Sequence, residues 1–183
     1  MVDIIYTKDL ILRKAKESDL NKIFENVWSD EVLTRTMLWK VTNNIEDAEE
    51  RMKRTIKYQS ENLAFFVSWK ETNEPIGFAG IYEKENGTYE DSGLCIAKNY
   101  QKRGYGKQVV EAFMKLIFEK LNGNKFIYSC FSTNENSRKV CIHFGFKYFE
   151  SKKTVRDYDN EEFDVDYYYM DKEMYEEYLK KIR

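Results

Sequence analysis

The chain has one proline, eight glycines, three cysteines and a single histidine in 183 residues. No hydrophobic run approaches the roughly 20 residues that span a bilayer. So few breakers exclude a collagen-like or low-complexity chain. Cys95, Cys130 and Cys141 show no paired spacing, and with one histidine to join them they speak against a disulfide framework and against a zinc site. They predict a reducing, cytoplasmic setting. The opening Met1-Val2-Asp3-Ile4-Ile5-Tyr6 lacks the basic segment and apolar core of an export signal. Charge of one sign is also missing: 30 Lys plus Arg stand against 32 Asp plus Glu, a net of -2. No electrostatic footprint for nucleic acid results, so neither nucleic acid nor membrane is an expected partner.

What is present is core material, with 42% hydrophobic and 16% aromatic residues. At 22.0 kDa this suits a single domain over residues 1–183 that buries a substantial core.

The most informative stretch is Gln101-Lys102-Arg103-Gly104-Tyr105-Gly106-Lys107. Before it Leu94-Cys95-Ile96 reads as a strand. After it Val109, Val110, Phe113, Met114, Ile117 and Leu121 recur at helical spacing. A strand-to-helix turn leaves the first helical N–H groups without partners at the positive end of the helix dipole, where a phosphate gains hydrogen bonds and field together. Glycines let the backbone approach closely, and Lys98, Lys102, Arg103 and Lys107 add local positive charge. The dinucleotide fingerprint would need glycine at Val109, and the Walker loop Ser or Thr at Gln108. Neither NAD nor ATP is favoured.

Gln101, Gly104 and Gly106 match the Gln/Arg-x-x-Gly-x-Gly/Ala motif of the GNAT N-acetyltransferase superfamily. The chain resembles its RimJ/RimL-like branch. Asn134-Glu135-Asn136-Ser137 followed by Gly145-Phe146, the opening Leu10-Ile11-Leu12-Arg13 with Ser18-Asp19-Leu20, Trp28 to Val32, and Arg156-Asp157 with Phe163 to Tyr169 are similar to segments of that branch in order and spacing. The resemblance implies acetyl-CoA as cofactor, held by the 101–107 loop and by Asn134. It implies a backbone N–H near Cys95 or Ile96 for the thioester carbonyl, and an α+β fold with a mixed, mostly antiparallel sheet of six to seven strands, flanked by helices and splayed at its central parallel pair.

Pattern and turn signals predict strand 10–14, helix 18–29 and helix 44–59, whose start carries Glu46, Asp47 and Glu49. Strands 65–70 and 76–82 form a hairpin around residues 71–75, and Asn86-Gly87 turns the chain into strand 92–97. Helix 106–121 leads to strand 126–130, parallel to strand 92–97. Helix 134–144, strands 148–155 and 163–170, and a C-terminal helix capped by Asp171 complete the order.

Acetyl transfer to an amine needs a base, because alkyl amines have pKa values of about 10 and are mostly protonated at neutral pH. Asp91 is the first candidate and Glu90 the fallback, with a solvent-facing carboxylate or a water relay as the plainer alternatives. Ser137, by resemblance, stabilises the departing thiolate; a helix-start hydrogen bond accounts for it equally, as a cap does for Asn134. Many GNAT enzymes carry a tyrosine acid where this chain has Cys141, and that departure shifts the role to Ser137. His143, late in a short helix, is a poor candidate. Met37, Trp39 and one ring of Tyr167-Tyr168-Tyr169 are possible acceptor contacts. Asp157, Asp159, Glu161 and Glu162 would attract a cationic amine, or sit solvated. The acceptor is either a protein N-terminus or a small-molecule amine such as a polyamine, amino acid or aminoglycoside, and a homodimer stays open. The alternative function is a non-catalytic acyl-CoA binding or sensing module.

Overall fold

A computed structural model describes residues 2–182, and its strands follow the apolar stretches of the sequence. They are β1 (Ile4–Tyr6), β2 (Leu10–Arg13), β3 (Leu63–Trp69), β4 (Pro75–Glu85), β5 (Thr88–Ile96), β6 (Lys125–Phe131), β7 (Lys147–Val155) and β8 (Glu162–Asp171). The eighth strand, beyond the six to seven expected, is the short β1. It pairs antiparallel with β2, Ile5 opposite Leu12. The chain divides into two compact units, one running to Ile81 and including Ser92–Val109, the other comprising Tyr82–Asp91 and the chain from Val110 onward. Strands β4 and β5 and helix α4 (Tyr105–Lys115) contribute to both. The result is an α+β fold with a mixed sheet, antiparallel apart from β5 and β6.

In the first unit the strand order is β1-β2-β3-β4-β5. Phe65, Phe66 and Val67 on β3 are buried in succession, so both faces of this strand are covered. One cover is α3 (Ile45–Glu61), which begins where the Asn44 side chain accepts the Asp47 N–H at 2.8 Å and buries Ala48, Met52 and Gln59. Trp28 meets Phe66 edge-on, ring centroids 6.1 Å apart. The helix expected over 18–29 is broken: a 3-10 turn at Glu17–Asp19, α1 (Leu20–Ile23), then a π-helical turn at Phe24–Trp28. Asp30 then caps α2 (Glu31–Thr34), accepting from the Val32 and Leu33 N–H groups. Arg13 on β2 forms a two-pronged ion pair with buried Asp19, both contacts 2.7 Å.

In the second unit the order is β5-β6-β8-β7. The parallel ladder between β5 and β6 runs from Thr88 opposite Lys125 to Glu90 opposite Ile127 and registers no pair beyond, although both strands continue. Asn86 and Gly87 both have positive φ, the geometry of a tight hairpin turn. Helix α5 (Glu135–Phe144) ends at Gly145, whose φ of 82° places it in the left-handed region. Helix α6 (Lys172–Ile182) starts where Asp171 accepts the Met174 N–H at 2.9 Å, the expected cap, and its Tyr175 ring stacks on Phe118.

Candidate active site

The 101–107 loop is a strand-to-helix turn in the first unit, as its residue order predicts. Gly104 has a φ of +81°, and a Cβ at Gly104 or Gly106 would meet nothing within 4 Å. Open space therefore lies beside the first turn of α4, and among the described residues no side chain caps its first N–H groups. Lys102, Arg103 and Lys107 are exposed around them. Gln101 faces the other way: its amide donates to the Ile96 carbonyl at 2.8 Å, so this motif residue shapes the loop. Gln108 does comparable work from the first turn of α4, accepting from the Thr7 hydroxyl at 2.7 Å and the Asp9 N–H at 3.0 Å and donating to Asp9 at 2.6 Å. Tyr105 is buried and anchors the turn.

Upstream, β5 is irregular at Gly93, where φ is +110°. Cys95 and Ile96 are buried, and the Ala97 N–H closes the strand end by donating to the Ile76 carbonyl at 2.7 Å. Burial pushes the Cys95 thiol well above the usual range, with the nearby Arg51 guanidinium opposing. Cys95 can thus contribute backbone only, since a neutral thiol is a poor nucleophile.

A cavity of about 850 Å³ opens in the same unit and reaches β5 at Ser92 and Gly93, two residues before Cys95. Trp28, Trp39, Arg51, Phe65 and Phe78 line it. Sequence reasoning singled out Trp39 but missed Arg51, which reads as one more basic residue on an amphipathic helix. Its lack of an ion pair in the fold, invisible in one dimension, marks it.

In the second unit, Asp91 Oδ1 accepts from the Ser129 N–H at 2.7 Å and the Ser129 hydroxyl at 3.1 Å. It serves as a strand partner just past the last ladder pair. Glu90 is buried and holds Lys84 at 2.9 Å. Asn134 caps α5 by accepting the Ser137 N–H at 3.1 Å. Beside Ser137 lies Tyr128, within the expected strand 126–130 but given no role by the sequence. Burial drives the Tyr128 hydroxyl far up, and the hydrogen bond with Ser137 opposes that shift. Cys141 stands in the same surroundings, buried, its thiol likewise raised by burial. His143 is exposed. Three of the four acids suggested as amine attractors are otherwise employed: Asp159 and Glu161 both bind the buried Arg156 guanidinium, and Glu162 pairs with Lys153.

Comparison with known proteins decides the family. The profile described as "Acetyltransferase (GNAT) domain" matches residues 9–147, about three quarters of the chain. The chain belongs to the GNAT acetyltransferase family. A search of curated proteins gave no match. Among solved structures, a GNAT-family acetyltransferase from Bacillus anthracis is 22% identical over 93% of this chain and 99% of that one, with a TM-score of 0.78. The RimL α-N-acetyltransferase of a ribosomal protein, in complex with coenzyme A, is 21% identical over 92% and 98%, with a TM-score of 0.76. The microcin self-immunity acetyltransferase MccE, in complex with acetyl-CoA and AMP, is 16% identical over 90% and 93%, with a TM-score of 0.77. At these identities the likeness is one of fold.

GNAT enzymes use acetyl-CoA, and the loop of this chain suits its phosphates. Two glycines leave open space before uncapped helical N–H groups, and three exposed cations surround them. Among the described residues there is no group of three or more His, Cys, Asp or Glu side chains able to hold a metal, and no helix long and apolar enough to cross a membrane.

Proposed function

We propose that this protein is an acetyl-CoA-dependent N-acetyltransferase of the RimJ/RimL-like branch, acting as one domain in the cytoplasm on a primary amine. The observation that carries the reading is the open space around the backbone of Gly104 and Gly106 at the start of α4. When bound, acetyl-CoA supplies a thioester whose acyl group passes to the amine. Backbone N–H groups of residues 102–107 hold the pyrophosphate, with Lys102, Arg103 and Lys107 neutralising its charge. A backbone N–H near Cys95 or Ile96 polarises the carbonyl at no cost in side-chain identity. Asn134 sets the start of α5, and Ser137 donates to the thiolate. Tyr128 is the buried phenol beside Ser137. Asp91, fixed by Ser129, takes the amine proton through an ordered water, with Glu90 as fallback.

The test is thiol release from acetyl-CoA with N-terminal peptides, polyamines, amino acids and aminoglycosides, each product checked by mass, with Gly104→Glu in parallel. Turnover on one class, lost in the variant, is expected. Acetyl-CoA binding without turnover on any class would support the sensing module instead; no binding at all would remove both readings.

A further inference from the structure

The acceptor's chemistry can be read from the cavity beside β5, granted the acetyl-transfer reading above. Cations drawn out of water are normally paired, yet the half-buried Arg51 has no carboxylate within ion-pair distance among the described residues. Its guanidinium lies 4.7 Å from the Trp28 ring centre and 4.3 Å from that of Trp39. One donor goes to the Thr42 hydroxyl at 3.0 Å. Desolvation brings its pKa down to about 10, with the Arg54 charge adding to that shift and Cys95 opposing it. Beside it the Trp39 indole N–H is buried and has no acceptor, and an unmade bond of this kind costs on the order of 1–3 kcal/mol. A guanidinium without a carboxylate partner and an indole N–H without an acceptor thus line one cavity.

The acids that also line it are engaged elsewhere: Asp47 accepts from the Asn44 amide at 2.9 Å, and Glu50 from Lys53 at 2.7 Å. Arg54 and Lys40, both exposed, add further positive charge to the lining. A polyamine or aminoglycoside would bring more cations to an unneutralised guanidinium.

We infer that this cavity is the acceptor site and that the acceptor is an amine which also carries a carboxylate, seated on the Arg51 guanidinium and the Trp39 N–H. A planar guanidinium presents paired in-plane donors that match two carboxylate oxygens. The aromatic walls of Phe65 and Phe78 suit an apolar remainder. Of the acceptors open from the sequence, amino acids and peptides with an acidic first residue fit.

The test compares matched sets: an amino acid, its carboxamide and its decarboxylated amine, and peptides beginning with Asp or Glu against Asn or Gln. Binding is read by quenching of tryptophan fluorescence and transfer by thiol release, in the native protein and in Arg51→Met, Arg51→Lys and Trp39→Phe. Carboxylate-bearing members should bind about 10- to 100-fold tighter than their amides, the range for hydrogen bonds to a charged group. Arg51→Met should bring that ratio close to one, Arg51→Lys should keep part of it, and acetyl-CoA affinity should hold in both. Equal binding of acids and amides, preference for polyamines, or an Arg51→Met variant that weakens acid and amide alike would overturn the inference. If Arg51→Met fails to fold, the native ratio and Arg51→Lys decide. Carboxylates that bind without thiol release would sink the transfer reading while leaving this one; transfer to amines lacking a carboxylate would do the reverse.

Discussion

Gly77→Ala is the sharpest single test of how β4 supports the β5 backbone. A Cβ at Gly77 would stand 2.0 Å from the Cys95 carbonyl oxygen, 3.1 Å from its carbon and 3.2 Å from the Ile96 Cα. All three are backbone atoms, so no side chain can turn away. The first contact falls about 1.2 Å short of ordinary van der Waals separation, and the strands must part by a similar amount. The 2.7 Å bond from the Ala97 N–H to the Ile76 carbonyl would then be lost. That bond at roughly 1 kcal/mol, with overpacking strain of about 1–3 kcal/mol, gives about 2–4 kcal/mol of destabilisation. For a chain of this length that is a fall in Tm of roughly 10 °C. Gly80→Ala is the control. Its Cβ meets the Ser92 hydroxyl at 2.4 Å, a side chain free to rotate, and Ala64 at 3.2 Å, so a loss of about 1 kcal/mol is expected. Thermal and urea unfolding check both, and thiol release reports whether activity falls further than folded fraction. If Gly77→Ala unfolds within 0.5 kcal/mol of the native protein, or below Gly80→Ala in cost, the strand spacing argued above is wrong.

Gly106→Ala, in the first turn of α4 with open space for its Cβ, should stabilise the free protein by up to about 1 kcal/mol and leave acetyl-CoA binding nearly unchanged; Gly104→Glu should abolish that binding in a titration, and the reverse pattern would refute the loop assignment. Arg13→Met leaves Asp19 buried without its partner and should cost about 3–5 kcal/mol in urea unfolding, most of it recovered in Arg13→Met with Asp19→Leu; a single-variant loss under about 1 kcal/mol would show the pair to be incidental. The Cys130 thiol is pushed up to about 12, mainly by burial, from 9.0. Because the folded value is the higher, its contribution to stability is present below pH 9 and lost as pH rises toward 12. The urea midpoint should fall across pH 9 to 10.5, less so in Cys130→Val, and a rising midpoint would contradict the burial.

Much of the fold is legible because caps and turns announce themselves locally. Asn44, Asp171 and Asn86-Gly87 do in the structure what their residue types predict. The ends of α4 and the 18–29 segment were not legible, for one shared reason. Leu116, Ile117 and Phe118 are buried in succession, as are Val27 and Trp28. A regular helix turns 100° per residue and cannot bury three neighbours on one narrow face, whereas a π-helical turn widens the face enough to do so. Periodicity counts assume the regular turn and extend the helix through it. Strand β1 was missed because three residues are too few to show alternation, and only its pairing with β2 defines it.

At the site, legibility follows the range of the interaction. The glycines were readable because an open turn before a helix is a local property. Gln101 was readable as a motif member but not in its role, since the Ile96 carbonyl it serves becomes its neighbour only when β5 ends beside it. Gln108 is more distant still, tied to Thr7 and Asp9 about a hundred residues away. The acids near the last hairpin were readable as charge but not as already spent, although Arg156 lies three residues from Asp159. Arg51 is the limiting case. Along the sequence it sits amid Glu49, Glu50 and Asp47 and looks as neutralised as any helical arginine. In the fold Asp47 turns to Asn44 and Glu50 to Lys53, while Arg51 lies between two indoles. A charge flanked by acids in sequence and left without an ion pair in the fold is one that a ligand's carboxylate can complete.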